Sequence, residues 1–138
     1  MPRIRHAVTL LLAISALALP LRAASAHPRL LKATPAADSR AAEAPREIRL
    51  TFNEAVDVAL TRVTLLRGDT PVRLDSLRLA VGDDHTVIAP IGLALTPGRY
   101  TLRWQVSGDD GHPVRGEFSF EVLAADAPVA RPTHSAHP

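Results

Sequence analysis

The 138-residue chain contains no cysteine, and its single methionine is Met1. Thiolate chemistry, disulfide staples and soft sulfur metal sites are therefore excluded from any processed form that lacks Met1. Aromatic residues are scarce, with one Trp, one Tyr and three Phe. No cluster of Lys and Arg with interleaved aromatics occurs, which argues against a nucleic-acid partner. No apolar run reaches the roughly 20 residues that a bilayer span needs, so no stable membrane anchor is expected.

What the chain does have begins at its amino terminus. Arg3 and Arg5 precede an Ala-, Leu- and Ile-rich run from Ala7 to Leu19, Pro20 ends the run, and Ala24-Ser25-Ala26 supplies small residues for cleavage. Residues 1–26 read as a secretory signal peptide, which predicts a periplasmic product beginning at His27. Arg3, Arg5 and Arg22 leave with the signal. The basic count falls from 16 to 13 against 14 acidic residues, for a mature formal charge of −1. The basic character of the full sequence belongs to its leader.

The remainder reads as strands. Ile48, Leu50 and Phe52 alternate with polar neighbours; so do Tyr100, Leu102, Trp104 and Val106, and later Phe118, Phe120 and Val122. Arg62–Leu66 and Thr86–Ala89 give shorter strands. Period-two alternation marks half-buried strands, and the segments Arg67-Gly68-Asp69, Gly82-Asp83-Asp84, Thr96-Pro97-Gly98 and Gly108–Pro113 read as turns between them. Without an amphipathic helix, the pattern predicts an all-β antiparallel sandwich or small barrel. Residues 33–45 read as a connecting loop, and the Ala- and Pro-rich segment 124–138 as a disordered tail carrying His134 and His137.

Two stretches carry chemistry. Cleavage after Ala26 gives His27 a free α-amine beside its own imidazole. The amine nitrogen and Nδ1 can then close a chelate ring on one metal ion, which no internal histidine can do. Pro28 has no backbone N–H, so the second amide cannot join as a ligand. The second stretch, "SGDDGHPV", lies between the two longest strand signals. Asp110 and His112 flank Gly111, and Gly111 permits a tight turn that lets a carboxylate and an imidazole converge. Three nitrogens and one oxygen in a plane suit Cu(II), which prefers tetragonal geometry and heads the divalent affinity order. Asp109 is the competing carboxylate, and the spacing favours Asp110.

On the His27 start, "TPAADS" (34–39), "IRLTFNEAV" (48–56) and "LTPGRYTLRWQVSGDDGHPVRGEFSFEV" (95–122), residues 27–123 resemble the CopC-type periplasmic copper-binding proteins. The resemblance implies a seven-stranded Greek-key, immunoglobulin-like β-sandwich holding one Cu(II) through His27, Asp110 and His112. It implies that Glu54 orients the terminal amine by a hydrogen bond; the alternative for Glu54 is an exposed carboxylate at a strand end. It implies a role in copper capture, storage or delivery in copper homeostasis or resistance, without catalysis. It also implies a membrane copper importer of the CopD type as partner, expected to be a separate chain. The lack of methionine points to the Cu(II)-only type.

Two other functions compete. A copper mono-oxygenase also begins with a chelating histidine, but it needs an open equatorial position that Asp110 fills here. A metal-free immunoglobulin-like interaction module predicts that His27, Asp110 and His112 stay apart. His85, in "GDDHTV", mirrors the DGH stretch and reads as a solvated turn. Arg103 and Arg115 flank the proposed site.

Overall fold

A computed structural model describes residues 27–108 and 110–125. The expected signal peptide and cleavage point, Asp109, His134, His137 and the tail beyond residue 125 lie outside the described residues. Nine strands pair there: β1 Leu30–Thr34, β2 Arg40–Ala41, β3 Glu47–Phe52, β4 Arg62–Arg67, β5 Thr70–Val72, β6 Arg78–Ala80, β7 Asp83–Pro90, β8 Gly98–Ser107 and β9 Pro113–Val122. One sheet has the order β1-β3-β7-β6, and the other β2-β9-β8-β4-β5. Neighbours such as β3 with β7 and β8 with β4 are far apart in sequence, as a Greek-key sandwich requires. The expected all-β immunoglobulin-like sandwich is what forms. The count exceeds seven because the described chain includes short edge pieces, β2 of two residues and β5 and β6 of three each.

Alternation explains the core. Ile48, Leu50 and Phe52 of β3 meet Leu65 of β4, Val87 of β7, Tyr100, Leu102 and Val106 of β8, and Phe120 and Val122 of β9 between the sheets, all nearly fully buried. Tyr100 keeps its ring in this core by donating its hydroxyl to the Thr96 carbonyl at 2.7 Å. That satisfies the one polar atom which burial would otherwise leave unpaired. Trp104 is only half-buried. It meets Phe52 edge-on at 5.3 Å, and its ring covers Gly116 so closely that a Cβ there would lie 2.4 Å from it.

Three sequence readings change. Residues 33–45 do not form one loop: Ala33 and Thr34 end β1, and Arg40–Ala41 runs parallel to β9. The signal was weak because β1 is an edge strand, with Leu31 exposed and little alternation to read. Asp83 and Asp84 belong to β7 rather than to a turn, because backbone pairing with β6 extends past the apolar core. The last strand starts at Pro113, where the β8–β9 ladder opens with Ser107 opposite Pro113.

Candidate metal centre

The β8–β9 ladder runs unbroken to Ser107 and Pro113, so the intervening loop projects from one end of the sandwich. The Gly111 N–H donates to the Gly108 carbonyl at 3.0 Å and closes a turn. Gly111 takes φ +72°, a region that residues with a Cβ occupy at a cost. Within this turn Asp110 clasps His112 twice. One carboxylate oxygen accepts the His112 backbone N–H at 3.0 Å, and the other lies 3.2 Å from His112 Nδ1. A neutral imidazole that donates from Nδ1 carries its lone pair on Nε2. In that tautomer the clasp leaves the Nε2 lone pair free, on a ring whose side chain is 74% exposed.

The same contacts lower the Asp110 pKa below the ordinary carboxylate value. The His112 backbone N–H acts most strongly; partial desolvation opposes it; the His112 ring and then the nearby His27 charge add to the lowering. An unfolded Asp titrates near 3.9. A depressed folded value means that the clasp is fully stabilising above about pH 3.9 and is lost as pH falls through the lower folded value. The Asp110 side-chain carboxyl carbon resonance is expected to show its carboxyl titration with a midpoint below the ordinary Asp value. Asp110→Asn should abolish the transition. A midpoint at or above the ordinary Asp value would show that the clasp does not form in solution.

The amino-terminal segment is brought to this loop by backbone pairing. Arg29 donates its N–H to Asn53 Oδ1, and Asn53 returns its N–H to the Arg29 carbonyl at 3.0 Å. Leu30 then pairs with Phe52 and starts β1. Pro28 is buried. His27 is exposed, and its ring centroid lies 6.3 Å from that of His112, with the planes inclined by 27°.

A third segment completes the end of the sandwich. After β3, the Val56 N–H reaches the Asp84 carbonyl, and the Asp57 N–H reaches the Ser107 carbonyl at 3.3 Å. Asp57 also caps a short 3-10 turn, Val58–Leu60. This bracing presses Glu54 and Pro28 against Gly108. A Cβ at Gly108 would lie 2.9 Å from Glu54 Oε1 and 3.2 Å from Pro28 Cγ, so only glycine fits there unchanged. Glu54 Oε1 is buried and has no hydrogen-bond partner among the described residues. A buried, unpaired carboxylate oxygen is costly and calls for a donor. An N–H donor is the chemistry that would satisfy it.

The structure thus brings His27, Asp110 and His112 to one end, with Glu54 beneath Gly108. Among the described residues, no three His, Asp or Glu side chains converge closely enough to hold a metal ion. Asp110 is engaged with His112, and the two exposed rings must turn to share an ion with it. His85 is separate: its N–H donates to Asp83 Oδ1 at 2.9 Å, and Nε2 lies 3.5 Å from Asp84. Arg103 and Arg115 are used within the sheet, Arg103 on Glu117 and Arg115 on Gln105. Asn53 is the residue that the sequence reading missed. Its signal was its position directly before Glu54, where a short amide at a strand end commonly ties down a neighbouring backbone.

The CopC-domain family model matches residues 30–123. Copper resistance protein C of Pseudomonas syringae pv. tomato is 34% identical over 105 residues, covering 72% of this chain and 82% of that protein. Protein YobA of Escherichia coli K12 is 32% identical over 99 residues, 70% of this chain and 79% of that protein. Among solved structures, PcoC, a methionine-rich copper resistance protein from Escherichia coli, superposes with a TM-score of 0.64 at 28% identity, covering 70% of this chain and 99% of that one. This chain departs from PcoC in having no methionine after Met1.

Proposed function

The chain belongs to the CopC family, and on that premise we propose that it is a periplasmic Cu(II)-binding protein that captures, stores or delivers the ion without catalysing a reaction on it. The binding set is the His27 α-amine and Nδ1, His112 Nε2 and one Asp110 oxygen. The observation that carries this reading is the approach of His27 to the Asp110-Gly111-His112 turn, with ring centroids 6.3 Å apart. Four such donors complete a tetragonal Cu(II) plane and leave no equatorial position for oxygen. Sulfur ligands are absent from the chain after Met1, which favours Cu(II) over Cu(I). A CopD-type membrane importer is the proposed recipient, and export through the amino-terminal signal is the proposed route to the periplasm.

Intact-mass measurement of the exported protein, followed by Cu(II) titration with electron paramagnetic resonance, tests this directly. The expected product begins at His27 and binds one Cu(II) with an axial, nitrogen-rich spectrum. A first residue other than His27, or a spectrum without nitrogen coupling, would remove the proposed site.

Glu54 supplies a second prediction. Its unpartnered Oε1 fits a hydrogen bond from the terminal amine that fixes the amine's direction. Glu54→Gln should weaken Cu(II) binding by roughly 10–100-fold, the usual penalty for losing an orienting group behind a metal ligand. Competition titration against a chelator measures the change. An unchanged affinity would return Glu54 to a purely structural role.

A further inference from the structure

The outward face of the five-stranded sheet carries a feature that copper binding does not use. Arg62 of β4, Gln105 of β8 and Arg115 of β9 are successive cross-strand partners and form one row across the sheet. With Thr64, Arg103 and Trp104 they line a shallow cavity of about 200 Å³. Elsewhere on this face Arg103 meets Glu117 at 2.9 Å, and Arg40 meets Glu121 at 3.0 Å. Arg62 and Arg115 form no ion pair with any described carboxylate. The residues after the signal carry a formal charge of −1. Two uncompensated guanidinium groups in one cavity are thus a local concentration, not a reflection of a basic chain. The row also lies close to the metal-binding turn, since Arg115 follows His112 by three residues and the strand pairing begins at Pro113.

We propose that this face docks an acidic segment of a partner protein, with two of its carboxylates bridging Arg62 and Arg115. Arginine suits that task, because its planar fork can hold a carboxylate with two parallel hydrogen bonds. The spacing narrows the ligand. Two strand separations put the Arg62 and Arg115 backbones about 10 Å apart. Acidic residues at i and i+3 of a polyproline II segment lie on one side, about 9 Å apart. An anionic membrane fits less well, because it is a plane of one sign and would also meet Glu117 and Glu121 on the same face.

The Trp104 ring faces the core against Phe52 and Gly116, so occupancy of the outward cavity is read by isothermal titration calorimetry. The probe is an end-blocked peptide, Glu-Pro-Pro-Glu-Pro-Pro-Glu, titrated into the folded protein beside its Gln-for-Glu counterpart. The acidic peptide is expected to give a saturable binding heat and to bind more weakly as salt rises; the Gln peptide should give none. The double variant Arg62→Gln, Arg115→Gln should bind the acidic peptide about tenfold more weakly. Arg46→Gln, at the far end of the sandwich, should behave as the parent. Cu(II) affinity should be equal in parent and double variant, so failure of the docking surface is separable from failure of the copper site. Equal peptide binding by parent and double variant would overturn the proposal. So would a response to phosphatidylglycerol vesicles exceeding that to the peptide, which would assign the face to membranes.

Discussion

One extra residue placed before His27 is expected to weaken Cu(II) binding by about a hundredfold or more. The addition converts the terminal amine into an amide and spoils the five-atom reach between amine nitrogen and Nδ1. Four-ligand sites that organise small metal-binding domains hold their ion with apparent energies of about 10–16 kcal/mol, or roughly 3 kcal/mol for each donor. Losing the amine alone therefore costs about two orders of magnitude. His27→Ala keeps the amine and loses the imidazole, and should fall by a similar factor. Combining the extension with the substitution should add little if the pair acts as one chelate. Competition titrations on the four proteins complete the cycle. Equal affinity in the native and extended forms would show that the end-group takes no part.

The second large effect is on folding. Phe52→Ala should lower the unfolding free energy by about 3–5 kcal/mol, from a total that is ordinarily 5–15 kcal/mol for a domain. Phe52 is 1% exposed and meets Trp104 edge-on at 5.3 Å, so truncation opens a cavity between the sheets and removes the support of a half-buried indole. No disulfide limits the unfolded ensemble, so the loss should appear undiminished. For a domain of this size the melting temperature should drop by roughly 15–30 °C. Leu31→Ala is the control: Leu31 is 60% exposed, and its truncation should change stability by no more than about 0.5 kcal/mol. A Phe52→Ala loss below about 1 kcal/mol would mean that the sheets do not close over this position.

How much of this was legible before any coordinates depends on where each residue sits. The strands around Ile48–Phe52, Tyr100–Val106 and Phe118–Val122 were readable, because one face of each packs into the core and imposes alternation. The strands at Leu30–Thr34, Arg40–Ala41 and Thr70–Val72 were not. They are edges held by backbone hydrogen bonds, and a backbone bond leaves no mark on side-chain identity. For the candidate centre, Gly111 announced the turn and Asp110 and His112 its chemistry. The clasp of Asp110 on the backbone nitrogen and Nδ1 of His112 was not foreseeable, since it depends on a positive φ at the intervening Gly111. Nor was the reciprocal tie between Arg29 and Asn53, which joins residues 24 positions apart.

That tie sets a leash length. With Arg29 fastened to Asn53, a product that begins at His27 would have only two residues beyond the anchor, a reach of about 7 Å when extended. A ligand on so short a leash searches a volume of only about a cubic nanometre, which is equivalent to a local concentration far above millimolar. On the proposed function, capture by a terminal His27 of an ion already held at the Asp110–His112 turn would be an intramolecular step. Cutting the leash at its fastening, by Asn53→Ala, would leave every donor in the chain and still slow that step.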